Sequence, residues 1–149
     1  MTRVNKENSL WLPCTMAICT VFAMFVFSGV RVLAQNTETW VAPNDAKAVK
    51  NPFPPTPENV AAGAQAYQQK CMLCHGEKGQ GDGAIGKTLD PKPADFADAK
   101  TLSGETDGSL FWKITTGRGT MVSWKDATTE KERWQLVDYI RKLEKEGGK

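Results

Sequence analysis

At 149 residues the chain has room for one compact domain and too few residues for two of ordinary size. Hydrophobic residues make up 40% and the formal net charge is only +2, which excludes a disordered chain and a nucleic-acid partner. Residues 1–34 hold Arg3, Lys6 and Arg31 against Glu7, and setting them aside leaves 16 of the 19 basic and 16 of the 17 acidic residues. The body of the protein is formally neutral.

Arg3 and Lys6 precede an uncharged, mostly apolar run over residues 10–30, and Val32, Leu33 and Ala34 follow where a signal peptidase reads small residues. Residues 1–34 are expected to be an export signal cut after Ala34. The rival is an N-terminal anchor attached to the membrane through residues 10–30, since about 20 apolar residues span a bilayer. Either outcome puts the remainder outside the cytoplasm, in the periplasm or on the outer face of the cytoplasmic membrane. Cys14 and Cys19 fall inside the run and read as apolar filler. Residues 35–56 are polar and rich in proline, ending in Asn51-Pro52-Phe53-Pro54-Pro55-Thr56-Pro57. Consecutive prolines fix φ and remove donors, so an extended linker or surface strap is expected there, with no helix. The domain proper is expected over residues 57–149.

Thr56 as N-cap with Pro57 at the first helical position predicts a helix running to about Cys71. A second, short helix is predicted from Asp107 as cap, with Leu110, Phe111 and Ile114 on one face and Gly117 as the stop. The third is the clearest: Thr129 and Glu132 form a capping box, and Trp134, Val137, Ile140 and Leu143 recur at helical spacing before Gly147. Nothing alternates like a strand, so the fold class is all-α, with three or more helices. Between the first two helices lies a Gly-, Pro- and Asp-rich stretch over residues 76–106, and a loop that long in a small domain wraps something or is functional.

The chemistry is concentrated in Cys71-Met72-Leu73-Cys74-His75. Two thiols three residues apart can add to the two vinyl groups of one haem, and the adjacent histidine then lies under the iron as its proximal ligand. A structural zinc site needs four ligands, but outside the leader only Cys71, Cys74 and His75 offer themselves. A thioredoxin-like redox pair expects a βαβ setting that the pattern lacks. A plain disulfide would leave His75 without a role. Haem c also supplies the core that some 90 residues with three modest helices do not fill alone.

For a second axial ligand, the exported part offers Met72 and Met121. Met72 sits between the anchoring cysteines and does not reach the opposite haem face. Met121 follows Thr116-Gly117-Arg118-Gly119-Thr120, a loop whose glycines let the backbone approach a flat group, so it is the expected distal ligand. Lys113, Arg118 and Lys125 flank it, and an acidic redox partner is expected to dock against them.

With these residues in hand, residues 57–145 resemble a class I mono-haem c-type cytochrome. The resemblance implies that Gly63 and Tyr67 let the first helix cross the last, with Tyr139 and Trp134 as aromatic partners there. It implies that the loops Gly79-Gln80-Gly81-Asp82-Gly83 and Pro91-Lys92-Pro93-Ala94-Asp95-Phe96 run round the haem edge. A proline carbonyl, from Pro91 or Pro93, would accept the N–H of His75. The chain departs from the family in having Val122 where proline usually follows the ligand methionine, which implies a less rigid ligand loop. Asp107-Gly108-Ser109-Leu110-Phe111-Trp112 also resembles the mono-haem subunits of quinol-oxidising assemblies such as alternative complex III.

The functional expectation is an electron carrier, not an enzyme: one covalent haem c passing single electrons between respiratory partners outside the cytoplasmic membrane. The alternatives are a cytochrome subunit of a membrane quinol-oxidising or other respiratory complex, and a five-coordinate haem protein that binds gas or peroxide. Weighing the protein purified from membranes checks two expectations together, the loss of residues 1–34 and the gain of one covalent haem.

Overall fold

A computed structural model of the protein describes residues 39–148. The leader expected over residues 1–34, including the membrane attachment through residues 10–30, lies outside the described residues. None of the described helices is long and apolar enough to cross a membrane. The helices are α1 (Asn44–Ala48), α2 (Pro57–Lys70), α3 (Met72–His75), α4 (Ala99–Leu102), α5 (Asp107–Thr116) and α6 (Glu130–Gly147), with a 3₁₀ turn at Gly86–Thr88. Among the described residues the extended backbone pairing is a single antiparallel bridge between Arg118 and Met121.

Side-chain caps set where the long helices begin. The Thr56 hydroxyl accepts the Asn59 N–H at 3.2 Å, and Pro57 takes the first position of α2, where no N–H is needed. Thr129 does the same for Glu132 at the start of α6, at 3.1 Å. At α5 the cap is Thr106, whose hydroxyl accepts the Ser109 N–H at 3.1 Å. Asp107, the expected cap, is one residue inside, where its carboxylate complements the helix dipole.

Helices α2 and α6 cross in direct backbone contact. A Cβ on Gly63 would overlap the Gln135 carbonyl, so no other residue fits there without parting the helices. Beside the crossing, Gln135 donates to Asn59 Oδ1 at 2.9 Å, Lys70 pairs with Glu132 at 3.1 Å, and the Tyr67 and Tyr139 rings tilt together at 5.2 Å. Trp134, next to Gln135 on α6, makes its ring contact elsewhere. Its ring, fully buried, stacks on Phe111 of α5 at 4.2 Å and 13°, tying α6 to α5 instead. Leu136, Val137, Ile140 and Leu143 complete the inward stripe of α6.

The segment before α2 differs from the expected linker. It contains the five-residue α1, and the compact unit already begins at Trp40. Backbone groups of this strap find partners on α5 and α6. The Thr106 hydroxyl donates to the Lys47 carbonyl at 2.9 Å, Trp40 packs against Trp112 at 6.3 Å, and Ala42 is buried. Asn51 donates to Asp138 Oδ1 at 2.9 Å. Prolines keep the strap from forming longer helix, but residues 44–48 contain none.

Asp138 is buried, and its second oxygen has no partner. Burial pushes its carboxyl up to about 6, the Asn51 hydrogen bond opposes the rise and the nearby Asp107 charge adds to it. Because the folded-state pKa is above that of the unfolded chain, near 3.9, folding favours the neutral acid. That contribution is full below pH 4 and lost as pH rises through about 6. Denaturant unfolding at pH 4.5 and pH 7.5 should therefore show the parent losing stability with rising pH, and Asp138→Asn should flatten that slope.

Candidate cofactor site

Helix α2 ends where the cysteine motif begins. Cys71 caps it, donating its N–H to the Tyr67 carbonyl at 2.8 Å, and the single turn of α3 follows. Within that turn the N–H groups of Cys74 and His75 both bond the Cys71 carbonyl, at 3.1 and 2.9 Å. The two thiols and the imidazole therefore stand one helical turn apart at most, and both thiols are unpaired. Burial pushes the Cys71 thiol up to about 12, with Lys70 opposing the rise. A thiol held neutral in this way is not the low-pKa nucleophile of a redox pair.

The long loop folds back onto this turn and occupies its carbonyls. Gly81 N–H bonds the His75 carbonyl at 2.8 Å, Gly83 bonds Cys74 at 3.2 Å, and Ile85 bonds Leu73 at 3.0 Å. The contact is tightest at Gly86, where a Cβ would overlap the Cys74 carbonyl. The Tyr67 hydroxyl, buried, donates to the Gly76 carbonyl at 2.8 Å, so the peptide after His75 is held from the helix side as well.

His75 Nδ1 lies 3.2 Å from the Ala94 carbonyl. A carbonyl only accepts, so Nδ1 carries the proton and Nε2 keeps its lone pair. Burial lowers the His75 pKa, with the Ala94 bond opposing, which favours the neutral ring that a metal ligand requires. The acceptor is neither Pro91 nor Pro93. The chain turns between Pro93 and Phe96 so that the carbonyl after the second proline, that of Ala94, faces the ring.

Met121 comes to the same cleft from the other side. Its N–H and carbonyl both pair with Arg118, at 3.0 and 2.8 Å, closing a tight turn. The loop is then stitched back to α5: Trp124 N–H bonds the Ile114 carbonyl at 3.2 Å, and the Ser123 hydroxyl bonds Thr115 at 2.7 Å. Hydrogen bonds thus fix the loop without the missing proline, and Val122 is 58% exposed. Cys71, His75 and Met121 line one cleft whose walls are Tyr67, Phe96, Ile114, Trp124, Leu136 and Ile140. Cys74 is half-buried one turn away on α3 and is not part of the wall.

These residues fit a flat apolar group carrying a metal. The walls are aromatic and aliphatic, an imidazole with a free Nε2 and a thioether face the same space, and a thiol stands at its side. A bare ion is poorly served, since no group of three His, Cys, Asp or Glu side chains able to hold one is found among the described residues. Phe96 was legible only as a member of a loop motif, and Trp124 was not singled out at all. Ala94 carried no signal, because it acts through its backbone.

The expected basic docking face is altered. Lys113 is drawn into the domain, its Nζ pairing with Glu105 at 2.5 Å and lying 5.5 Å over the Trp40 ring. Lys125 and Arg118 are exposed.

Residues 58–140 match the family model described as cytochrome C oxidase, cbb3-type, subunit III. The chain is 32% identical over 89 residues to the cbb3-type cytochrome c oxidase subunit FixP of Bradyrhizobium sp. (strain ORS 278), covering 57% of this chain and 28% of that protein. It is 32% identical over 82 residues to the cbb3-type cytochrome c oxidase subunit CcoP of Azospirillum brasilense, covering 54% and 27%. The chain thus spans little more than a quarter of the length of these curated relatives. Among solved structures it is similar to a chain of the Kuenenia stuttgartiensis reducing HAO-like protein complex Kustc0457/Kustc0458, with 30% identity and a TM-score of 0.56 over 64% of this chain and 49% of that one.

The close approach of the loop to the cysteine turn is open to test by mutation. Gly86→Ala forces a methyl group against the Cys74 carbonyl and should lower stability by about 1–3 kcal/mol, the usual cost of overpacking. Denaturant titration of the purified protein measures it.

Proposed function

Since the chain belongs to the family of cytochrome c oxidase, cbb3-type, subunit III domains, mono-haem c-type cytochromes with covalently bound haem c, we propose that it is an electron carrier working outside the cytoplasmic membrane as part of, or alongside, a respiratory complex. The observation that carries this reading is the one cleft that Cys71, His75 and Met121 line together. In this reading Cys71 and Cys74 hold the haem by thioether bonds, His75 is the proximal iron ligand through Nε2, and Met121 is the distal one. Haem iron so ligated supplies one-electron chemistry at a raised reduction potential. The apolar walls would keep water from a group bound there, and the hydrogen-bonded Met121 turn would hold its thioether toward that group. Membership of this cytochrome family supports a carrier rather than an enzyme, and in this reading His75, the one histidine of the chain, is taken up as a ligand.

Association with a complex is favoured by the relatives, both named as oxidase subunits, and by the likeness to a chain of a multi-protein assembly. A partner would find an apolar landing beside the cysteine turn: Leu73, on that turn, is 56% exposed, and Ile85, whose N–H bonds the Leu73 carbonyl, is 44% exposed. Export is supported by the charged start and apolar run of residues 1–34.

Two measurements test the proposal. Haem should stay with the protein through denaturation and acid-acetone extraction, and its complete release would exclude the thioether linkage. The ferric protein should show the weak far-red band of iron bound to thioether sulfur. Met121→Ala should abolish that band and bind CO readily, whereas rapid CO binding by the parent would favour the five-coordinate gas-binding reading instead.

A further inference from the structure

We infer that Phe96 is the positioning residue for the His75 imidazole, fixing the plane of the ring where the hydrogen bond to Ala94 fixes only its tautomer. The inference rests on the reading of His75 as an iron ligand. A histidine ring turns about χ2 over a broad range, so its rotamer alone does not define a plane. A single hydrogen bond, here 3.2 Å from Nδ1 to the Ala94 carbonyl, is a pivot about which the ring can still swing. A second constraint is present. The Phe96 ring lies face to face with the imidazole, centroids 4.5 Å apart and planes within 16°. Turning the imidazole out of its present plane would drive its edge into that face.

The constraint is useful only if Phe96 is itself immobile, and it is. The side chain is buried in the cluster that includes Leu102 and Leu143. Its N–H bonds the Gly79 carbonyl at 2.6 Å, which joins the segment to the first half of the loop. On the other side the Asp95 carboxylate accepts the N–H groups of Ala97 and Asp98, at 2.9 and 3.2 Å, closing a turn just beyond the ring. Two residues of one short stretch therefore act on one imidazole, Ala94 at its edge through a carbonyl and Phe96 at its face through a ring. Phe96 also lines the cleft that His75 faces. An imidazole held in one plane would present Nε2 to a bound iron in one orientation, the kind of outer contact that tunes a metal.

The test is proton NMR of the ferric holoprotein, where the spread and order of the shifted haem methyl signals follow the imidazole plane. Phe96→Leu keeps apolar bulk and removes the flat face. It should reorder or compress the methyl pattern and shift the midpoint potential, while the Met121 methyl signal stays in place. Phe96→Tyr, which restores a flat ring, should return both to the parent values. Parent-like methyl pattern and potential in Phe96→Leu, with only the unfolding midpoint lowered, would overturn the inference and leave Phe96 as ordinary core. If Phe96→Leu does not fold, Phe96→Met serves the same comparison. The ligand reading is judged separately on the parent, which fails it if no hyperfine-shifted imidazole signals appear.

Discussion

A small domain can hold a cleft open only if something else keeps its walls in place, and here that task falls to the crossing of α2 and α6. At Gly63 the two helices meet backbone to backbone, and the contact transmits directly to the site. Helix α2 ends in the cysteine turn, while α6 supplies Leu136 and Ile140 to the wall opposite. Tyr67 stands on both accounts, packing against Tyr139 with its ring and holding the Gly76 peptide with its hydroxyl. Parting the helices by the width of a methyl group would move the wall and the cysteine turn together.

The rest of the domain is arranged as a frame around that pair. The loop after His75 saturates the carbonyls of the cysteine turn and returns with Ala94 and Phe96 to hold the imidazole. The segment after α5 closes the opposite side with its own short pairing at Met121. Little of this is regular secondary structure. Its rigidity comes from backbone hydrogen bonds made at close range, which demand glycine where another chain passes and leave few side chains to vary.

What the sequence made legible follows from what a sequence encodes locally. Caps, helical spacing and the Cys71-x-x-Cys74-His75 pattern are written within a few residues, so α2, α5 and α6 fell within a residue of expectation and the ends of α6 did so at both caps. Contacts made by backbone atoms are not written in this way. The acceptor for His75 proved to be the Ala94 carbonyl, a choice set by the path of the chain between Pro93 and Phe96. Residues 35–56 read as an extended linker or surface strap because proline speaks against helix, yet the proline-free residues 44–48 wind into α1, and the Lys47 carbonyl and Asn51 find partners far along the chain. Lys113 read as a docking charge because sequence shows neither Glu105 nor Trp40 beside it.

The burial of Cys71 has a bearing on the order in which the molecule is put together. In the closed domain Cys71 is half-buried, and burial pushes its thiol up to about 12, which makes it a weak nucleophile. In the open chain the same thiol returns to its ordinary acidity near 8.5 and to the solvent. In the proposed reading, where Cys71 carries the haem by a thioether bond, that bond would form more readily in the open chain than in the closed one. A chain that closes early would blunt its own reactive group, so assembly of this domain is a matter of timing as much as of affinity.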